Sequence, residues 1–436
     1  MTPREAGLLS INKCAKDGKY ANLELDAAIK KYGLAGLDKS FFTRLVYGVI
    51  ESQMTLDYFI EALTQGRELH PLVIGILRCG LYQIEYMDRV PNSAACDESV
   101  KLAQKFIPKA SGFVNAVLRE YIRKREELWA KLRAMPTLER ASVEHSIPMW
   151  ILSMWREQYG EDTMLRMASY SANIPPMALR ANTLRIGRDE LLQKLGDANV
   201  EASAGDLSPN AVLLRENMPL DAIYGFGEGL FFVQDEASQS CVMQLGAASG
   251  MRVIDTCACP GGKSISAAME MGNIGEIISL DLHEKKLGLI TKSAEKLGIT
   301  CISTRQHDGS EPLAELVGTA ERVICDVPCS GLGVIAKKPD IRYKKEEQIA
   351  QLPALQERIL DASIAYLKVG GELIYSTCTL NKRENDDVVA SVLARRSDVA
   401  LVDLEVQGVM KSQYGLTYMP HLQKSDGFFV TKLKKL

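Results

Sequence analysis

Two cysteines stand directly after two strand-like apolar runs, where a thiol can take part in chemistry. Cys329 follows "RVICDVP" and Cys378 follows "GELIYST". A lone buried cysteine is most often an inert small hydrophobe. Beside cationic residues or a helix N-terminus, however, the pKa of a thiol falls from about 8.5 toward neutrality, and the thiolate becomes a nucleophile. Two such thiols at one sheet edge therefore point to covalent catalysis.

A thiolate can attack an electron-poor ring carbon, and C6 of cytosine is such an atom. Addition of sulfur at C6 makes C5 an enamine-like nucleophile, which is strong enough to accept a methyl group from a sulfonium. This reaction requires an attacking thiol, an acid at the pyrimidine N3 and a methyl donor. Asp326, at the end of the strand candidate before Cys329, is placed for the second role.

A glycine-containing loop is placed to bind the methyl donor. The segment "DTCACPGGKS" follows a strand-like run and opens a helical one, so its backbone N–H groups can face a ligand. A triphosphate-binding loop is disfavoured because G-x-x-x-x-G-K-[ST] requires glycine where Cys257 stands. Asp281 closes the next strand candidate and can accept hydrogen bonds from two ribose hydroxyls. Nicotinamide and S-adenosylmethionine cofactors both fit this pattern.

Acidic or reactive residues follow each of five successive strand candidates. In an open parallel sheet, ligands bind outside the carboxyl ends of the strands. One acidic residue at a strand end is usually a helix cap or a turn residue, but a series at equivalent places predicts a binding site. The residues are Asp255, Asp281, Asp308, the pair Asp326 and Cys329, and Cys378.

Apolar periodicity divides the chain into three parts. Helical spacing dominates the N-terminal part, as in "FFTRLVYGVIESQMTLDYFIEAL" and "GFVNAVLREYIRKREELWAKL". A short middle part mixes extended and helical runs, among them "PPMALRANTLR", "GRDELLQKLGDANV", "AVLLR" and "GLFFVQD". From Gln234 onward strand and helix patterns alternate, which indicates a mostly parallel, doubly wound sheet with helices on both faces. The segment "KSDGFFVTKLKKL" predicts a final antiparallel strand.

These patterns predict a multidomain fold. We expect an all-α domain over residues 1–140, linker helices and a small α/β subdomain over residues 141–233, and a Rossmann-like α/β domain over residues 234–436. Ten cysteines without an export signal indicate a reducing, cytoplasmic setting. No C-x-x-C pair occurs and the five histidines are scattered, so no metal site is predicted.

The charge distribution favours a polyanionic partner, although the net charge is −3. Basic residues are in excess over residues 101–140 and in "AKKPDIRYKK". A single basic run is more often a solvated helix face, but two runs in one chain make nucleic acid a plausible partner. The candidate RNA contacts in these runs are Arg119, Arg123, Lys124, Arg125, Lys337, Lys338 and Arg342.

Several motifs together resemble the RNA cytosine-C5 methyltransferases of the RsmB/Nop2/NSun group, and most closely the RsmB type. The resemblance is carried by "DTCACPGGK", "SLDLHEKKL", "HDGS", "DVPCSGLGVIAKKPDIR" and "YSTCTLNKREND". The helical N-terminus resembles a NusB-like RNA-binding domain. The segments "ALRANTLR" and "VQDEASQ" resemble the small RNA-binding subdomain of the group.

This resemblance implies S-adenosylmethionine-dependent methylation of cytosine C5 in small-subunit (16S) ribosomal RNA. Cys378 would be the nucleophile, Cys329 would release the adduct, and Asp326 would face the cytosine. Cys259 and Val327 depart from the alanines usual in the group. A monomer without membrane association is expected. The implied cofactor contacts are Cys257, Ala258, Cys259, Pro260, Gly261, Gly262, Lys263, Asp281, Asp308 and Asp326.

Two other classes of function compete with RNA methylation. A binding module with an inactive enzyme domain would not need both Cys329 and Cys378. A methyltransferase for a small molecule or a protein would need neither two thiols nor an RNA-binding subdomain. Within RNA methylation, transfer RNA or another ribosomal RNA site is the alternative substrate, because only the resemblance favours the small subunit.

Overall fold

The computed structural model describes residues 1–17, 21–173 and 175–436. The described chain forms two compact units. The first contains the residues up to Asn173 together with Lys337–Lys344, and the second contains residues 175–336 and 345–436. In the described ranges, no helix combines the length and the apolar character that crossing a membrane requires.

The first unit is all-helical in its described residues, as the periodicity predicts. Leu45, Val49, Phe59, Leu77 and Leu118 lie at the centre of one apolar core with no exposed surface. The helices are α1 (Pro3–Asp17), α2 (Ala21–Tyr32), α3 (Gly36–Glu51), α4 (Gln53–Thr64), α5 (Pro71–Tyr86), α6 (Asn92–Phe106), α7 (Ser111–Arg133), α8 (Thr137–Glu144), α9 (Met149–Tyr159) and α10 (Glu161–Tyr170).

The segment Lys337–Lys344 belongs to this helical unit although it lies far along the chain. The Arg342 guanidinium is buried and donates to the backbone carbonyls of Glu51, His145, Ser146 and Ser171 at 2.9–3.4 Å. A guanidinium enclosed by carbonyls cannot reach a phosphate. The prediction that Arg342 contacts RNA is therefore wrong, because this basic residue anchors its own segment.

The second unit begins with a small antiparallel sheet. It contains β1 (Ala178–Ala181), α11 (Arg188–Asp197), β2 (Ala202–Ala204), β3 (Ala211–Leu214) and β4 (Phe231–Val233). The strand order is β2-β3-β1-β4. One helix packs on this sheet through Leu191 and Leu195 against Leu179, Val212 and Phe231. The small α/β subdomain is thus present.

A larger sheet follows, with helices on both faces. Its elements are α12 (Glu236–Leu245), β5 (Arg252–Asp255), α13 (Gly262–Glu270), β6 (Glu276–Asp281), α14 (Glu284–Leu297), β7 (Ile302–Gln306), β8 (Ala320–Asp326), α15 (Glu346–Ile349), α16 (Leu352–Ala365), β9 (Leu367–Thr377), α17 (Asp386–Arg395), β10 (Val399–Val402), β11 (Met410–Lys411), β12 (Leu416–Tyr418), α18 (Pro420–Gln423) and β13 (Phe428–Lys435).

Strands β5 to β9 are parallel, in the order β7-β6-β5-β8-β9, and the first strand therefore lies beside the fourth. Neighbouring residues of a strand serve opposite faces. Ile324 packs in the core that includes α12 and α13, whereas Val323 packs in the core that includes α16 and α17. The predicted mostly parallel, doubly wound sheet is confirmed, and the predicted last strand, β13, pairs antiparallel with β9.

Candidate active site

The ends of β8 and β9 bring the two predicted thiols together. Asp326, the last residue of β8, lies opposite Ser376 in the parallel register. The chain leaves both strands at the same sheet edge, and the Sγ atoms of Cys329 and Cys378 are 3.3 Å apart. All other cysteines are also free thiols. Because β8 also pairs with β5, the two thiols lie beside the crevice between β5 and β8. The strand order reverses there, and ligands bind at this point in such sheets.

A glycine contact holds the backbone of Cys378 in place. The Gly333 N–H donates to the Cys378 carbonyl at 3.0 Å, and the Gly333 carbonyl accepts from the Gly427 N–H at 2.8 Å. A Cβ atom on Gly333 would lie 2.0 Å from the Gly427 carbonyl oxygen. Only glycine permits this approach, so the loop after β8 and the turn before β13 clamp the nucleophile candidate.

An ion pair between the buried Lys263 and the half-buried Asp326 lies beside the thiols. The Lys263 Nζ is 2.6 Å from one carboxylate oxygen of Asp326 and 4.9 Å from the centre of the Phe428 ring. The other Asp326 oxygen accepts from the Ser376 hydroxyl at 2.7 Å. Burial alone would lower the pKa of Lys263, but the Asp326 carboxylate reverses this effect and raises it. Lys263 is therefore a fixed cation at the sheet edge.

The surroundings shift the pKa values of the two thiols in opposite directions. The pKa of Cys378 is lowered, first because the Cys329 thiol donates a hydrogen bond to the Cys378 sulfur and also because Lys263 is cationic. The pKa of Cys329 is raised well above its usual value by that hydrogen bond and by burial. Cys378 is thus the thiolate candidate, and Cys329 is a protonated donor beside it.

The two thiols of the glycine loop, Cys257 and Cys259, are not activated. Burial raises the pKa of Cys257 well above its usual value, and burial with the nearby Asp281 carboxylate raises the pKa of Cys259 to about 12. A neutral thiol is a poor nucleophile. The chemistry therefore belongs to the pair at β8 and β9 and not to the loop after β5.

The glycine loop turns sharply into α13. The Ala258 N–H donates to the Leu280 carbonyl at 2.8 Å, and the Gly261 N–H donates to the Ala258 carbonyl at 2.6 Å. Gly261 has φ +106° and caps α13 without any side-chain hydrogen bond to the helix N-terminus. The first N–H groups of α13 are therefore not occupied by a side-chain cap, and they suit an anionic or polar ligand group.

Two further strand-end carboxylates lie along the same edge. Asp281 accepts from the backbone N–H groups of Cys259 at 3.1 Å and His283 at 2.9 Å. Asp308 accepts from the N–H and the hydroxyl of Ser310 at 2.9 and 2.8 Å, and these bonds lower its pKa. Both carboxylates keep open lone pairs, so they can accept ligand hydroxyls.

All seven candidate RNA contacts lie in the helical unit. Arg119, Arg123 and Lys124 are exposed on α7, and Lys124 pairs with Glu120 at 3.0 Å. Arg125 instead holds the buried Glu85 carboxylate at 2.8 Å. Lys338 is exposed and Lys337 is half-buried. The exposed residues of α7 and Lys338 are available to a polyanion, whereas Arg125 also has a structural role.

Sequence reasoning missed several residues that build the site. Ser376, Phe428 and Gly333 each contact a predicted site residue. Ser376 is the first residue of "STC" at the end of β9, so its position at the strand end was a usable signal. Phe428 and Gly333 lie in other segments, and only the folded sheet brings them to Lys263 and Cys378.

The fold is that of an α/β domain with polar residues and a close pair of thiols at the carboxyl ends of its parallel strands. The family model described as 16S rRNA methyltransferase RsmB/F matches residues 242–434, the NusB family matches residues 1–123, and the Methyltr_RsmF/B-like, ferredoxin-like domain matches residues 147–221. The NusB-like and small-subdomain predictions are thereby confirmed.

Relatives match this chain over most of its length, and a solved structure matches part of it. The probable ribosomal RNA small subunit methyltransferase B of Bacillus subtilis is 33% identical over 99% of this chain and 98% of its own length. The corresponding Klebsiella pneumoniae protein is 33% identical over 91% and 90%. A crystal structure of a methyltransferase homolog protein from Pyrococcus horikoshii shows 25% identity and a TM-score of 0.62, over 69% of this chain and all of that one. The chain belongs to the RsmB/F methyltransferase family.

Proposed function

We propose that this protein transfers a methyl group from S-adenosylmethionine to C5 of a cytosine in small-subunit (16S) ribosomal RNA, through a transient bond between Cys378 and C6. The observation that carries the proposal is the 3.3 Å separation of the Cys329 and Cys378 sulfurs at the ends of the neighbouring strands β8 and β9. A methyltransferase that acts on a nucleophilic oxygen or nitrogen has no use for such a pair.

The residues at the sheet edge fit S-adenosylmethionine. Asp281 suits the ribose hydroxyls, and the N-terminus of α13 without a side-chain cap suits the amino acid carboxylate. The loop from Cys257 to Lys263, Asp308 and Asp326 completes the predicted set. When bound, this cofactor supplies an electrophilic methyl group. The membership of the chain in a methyltransferase family supports the assignment.

The chain's own residues divide the remaining work. The Cys378 thiolate attacks C6, and the electron pair of the C5–C6 double bond becomes available at C5. As sulfur adds, N3 takes up a proton from solvent and returns it when the adduct breaks down. Asp326, held by Lys263 and Ser376, accepts hydrogen bonds from the amino and N3–H edge of the cytosine. After methylation a base removes the C5 proton, the C5–H electron pair reforms the double bond, and Cys378 leaves as a thiolate.

Cys329 assists that departure. Its thiol lies 3.3 Å from the leaving sulfur and stays protonated, so it donates a hydrogen bond to the thiolate as the carbon–sulfur bond breaks. A hydrogen bond to an ionised acceptor is roughly twice as strong as one to a neutral acceptor. Cys329 therefore favours breakdown of the adduct over its persistence.

The choice of ribosomal RNA follows from the relatives, which are named ribosomal RNA small subunit methyltransferase B. We also propose that the enzyme acts in the cytoplasm, because ribosomal RNA is processed there in bacteria such as the sources of these relatives. Bisulfite sequencing of ribosomal and transfer RNA from cells lacking the gene is the test. We expect the loss of one 16S cytosine signal, restored by the natural protein but not by Cys378→Ser. Loss of a transfer RNA signal alone, or restoration by Cys378→Ser, would overturn the proposal.

A further inference from the structure

A buried carboxylate contacts the loop that carries Cys329. Glu384 ends the 3₁₀ turn Lys382–Glu384 after β9, and its side chain has no exposed surface. It accepts from the Ser330 N–H at 2.8 Å, the Gln356 amide at 3.0 Å and the Asn381 amide at 3.1 Å. These donors are neutral, and in the described part of the chain no ion pair compensates the Glu384 charge. A buried carboxylate is costly without a cation, so a functional reason is expected.

The donors to Glu384 connect it to both cysteine loops. Ser330 directly follows Cys329, and its hydroxyl shares a 2.7 Å hydrogen bond with the Thr379 hydroxyl, which directly follows Cys378. The Thr379 hydroxyl also accepts from the Asn381 N–H at 3.3 Å. The carboxylate therefore holds Ser330, next to Cys329, directly, and it reaches Thr379, next to Cys378, through Ser330 and Asn381.

The Gln356 amide strengthens this brace from the neighbouring helix. Gln356 lies on α16, is fully buried, and donates both to Glu384 and to the Pro328 carbonyl at 3.0 Å. Pro328 precedes Cys329 in the chain. The segment that carries Cys329 is thus held on both sides of the cysteine by groups that meet at the Glu384 carboxylate.

The Glu384 charge also acts unequally on the two thiols. Beyond the hydrogen bond with Cys378, the charges that raise the pKa of Cys329 belong to Cys378, Glu384 and Asp326. The groups that act on the pKa of Cys378 are Cys329, Asp326, Lys263 and Asp426, and Glu384 is not among the largest. The carboxylate therefore opposes ionisation of Cys329 more than ionisation of Cys378.

We propose that Glu384 is a positioning residue, which clamps the two cysteine loops together and keeps Cys329 as the hydrogen-bond donor to Cys378. This inference rests on the proposed thiol chemistry. Without the carboxylate, the loops would separate and the two thiols would compete for the same proton. Because misplacement by about 1 Å can cost about 100-fold in rate, the clamp has a direct consequence for catalysis.

The test measures each thiol separately, without RNA. The rates of iodoacetamide alkylation at Cys329 and Cys378 are followed by mass spectrometry across pH in the natural protein, Glu384→Gln and the control Glu357→Gln. Glu357 is a partly exposed carboxylate paired with Arg395. In the natural protein and the control, Cys378 is expected to react at lower pH than Cys329. In Glu384→Gln the two profiles are expected to converge.

Turnover on ribosomal RNA is the second readout. We expect Glu384→Gln to lower kcat by about 10- to 100-fold, with less than about a twofold change in the KM for the cofactor. Thr379→Val keeps the carboxylate but removes the hydroxyl link, so it should lower kcat while the alkylation order persists. Unchanged alkylation profiles in a folded Glu384→Gln protein would overturn the inference. A natural protein that shows the alkylation order but methylates no RNA would instead overturn the proposed function.

Discussion

Cys329 and Cys378 are the same side chain in different electrostatic surroundings. Cys378 receives a hydrogen bond from its neighbour and lies near the Lys263 ammonium, whereas Cys329 donates that bond and lies near the Glu384 carboxylate. A nucleophile needs the first situation and a donor to the leaving thiolate needs the second. At the scale of single residues, the assignment of roles thus depends on neighbours that lie far away in the sequence.

Replacement of Lys263 tests the electrostatic part of this assignment. Lys263→Met removes the cation and leaves the Asp326 charge near Cys378 unpaired. Both effects disfavour the thiolate, so we expect the pH midpoint for Cys378 alkylation to rise by about one unit, which is a roughly tenfold slower reaction near neutral pH. Alkylation rates read by mass spectrometry check this expectation. Lys292→Met, at an exposed position, is the matched control. An identical midpoint in both variants would contradict the expected effect of Lys263 on Cys378.

The site residues illustrate what local sequence can predict about chemistry. The thiols, the glycine loop and the strand-end carboxylates follow recognisable runs, so their meeting at one edge follows from a parallel sheet. The burial of Arg342 could not be read in this way, because its basic neighbours suggest a solvated patch. Only the backbone carbonyls of Glu51, His145 and Ser146, which accept its hydrogen bonds, show that its segment is anchored in the helical unit.

At the scale of elements, strand ends do most of the functional work. Strand β5 ends at Asp255, which is buried and accepts from the Ser264 hydroxyl of α13 at 2.6 Å. Burial raises the pKa of Asp255 to about 7 from its usual value near 4. Below about pH 7 the Asp255 carboxyl is therefore protonated, and in this form its hydrogen bond with Ser264 connects β5 to α13.

The stability of this connection should depend on pH. Between about pH 4 and 7 the unfolded chain has lost the Asp255 proton and the folded chain still holds it, so the free energy of unfolding falls as pH rises through this window. Asp255→Asn lacks this ionisation. The stability of Asp255→Asn relative to that of the natural protein should therefore rise by on the order of 4 kcal/mol from pH 4 to pH 8.

Urea unfolding followed by circular dichroism at several pH values measures this difference. The exposed Asp221→Asn in the same unit is the matched control, and its difference from the natural protein should stay constant with pH. A constant difference for Asp255→Asn as well would show that the carboxyl is ionised in the folded protein throughout.

Elements inside a regular alternation of strand and helix patterns could be predicted, and elements outside it could not. The five parallel strands alternate with helical patterns, and β13 opens with the apolar residues 428–430, whereas β10, β11 and β12 have four residues or fewer and depend on their pairing with neighbouring strands. The helical pattern also continues across Ser52, where the chain instead breaks between α3 and α4. Because the apolar residues keep their helical spacing across this break, the sequence pattern does not predict it.

At the scale of the whole molecule, the helical unit is the candidate for RNA binding. Its long helix α7 carries Arg119, Arg123 and Lys124 on exposed positions. The ion pairs of Arg123 and Lys124 with Glu120 lie at the surface, and such pairs contribute little to stability. These side chains can therefore exchange a carboxylate for a phosphate at small cost.

Charge reversal tests this role. The double variant Arg123→Glu and Lys124→Glu should weaken binding to 16S ribosomal RNA and make the affinity less dependent on salt, by roughly one to two in the log–log slope, because each phosphate contact releases about one counterion. The variant Lys30→Glu and Lys31→Glu in α2 applies the same charge change elsewhere in the unit. Titrations at several salt concentrations measure the slopes. Equal slopes for both variants would show that the basic residues of α7 form a solvated surface that does not contact RNA.

The most direct test of the account traps the proposed bond. Cys329→Ala removes the donor to the leaving thiolate and leaves the nucleophile in place. With S-adenosylmethionine and 16S ribosomal RNA, this variant should accumulate a protein–RNA band on a denaturing gel, and the band should vanish when Cys378→Ser is added. Absence of the band in a Cys329→Ala protein that binds both substrates, or its persistence after loss of Cys378, would contradict covalent catalysis by this pair.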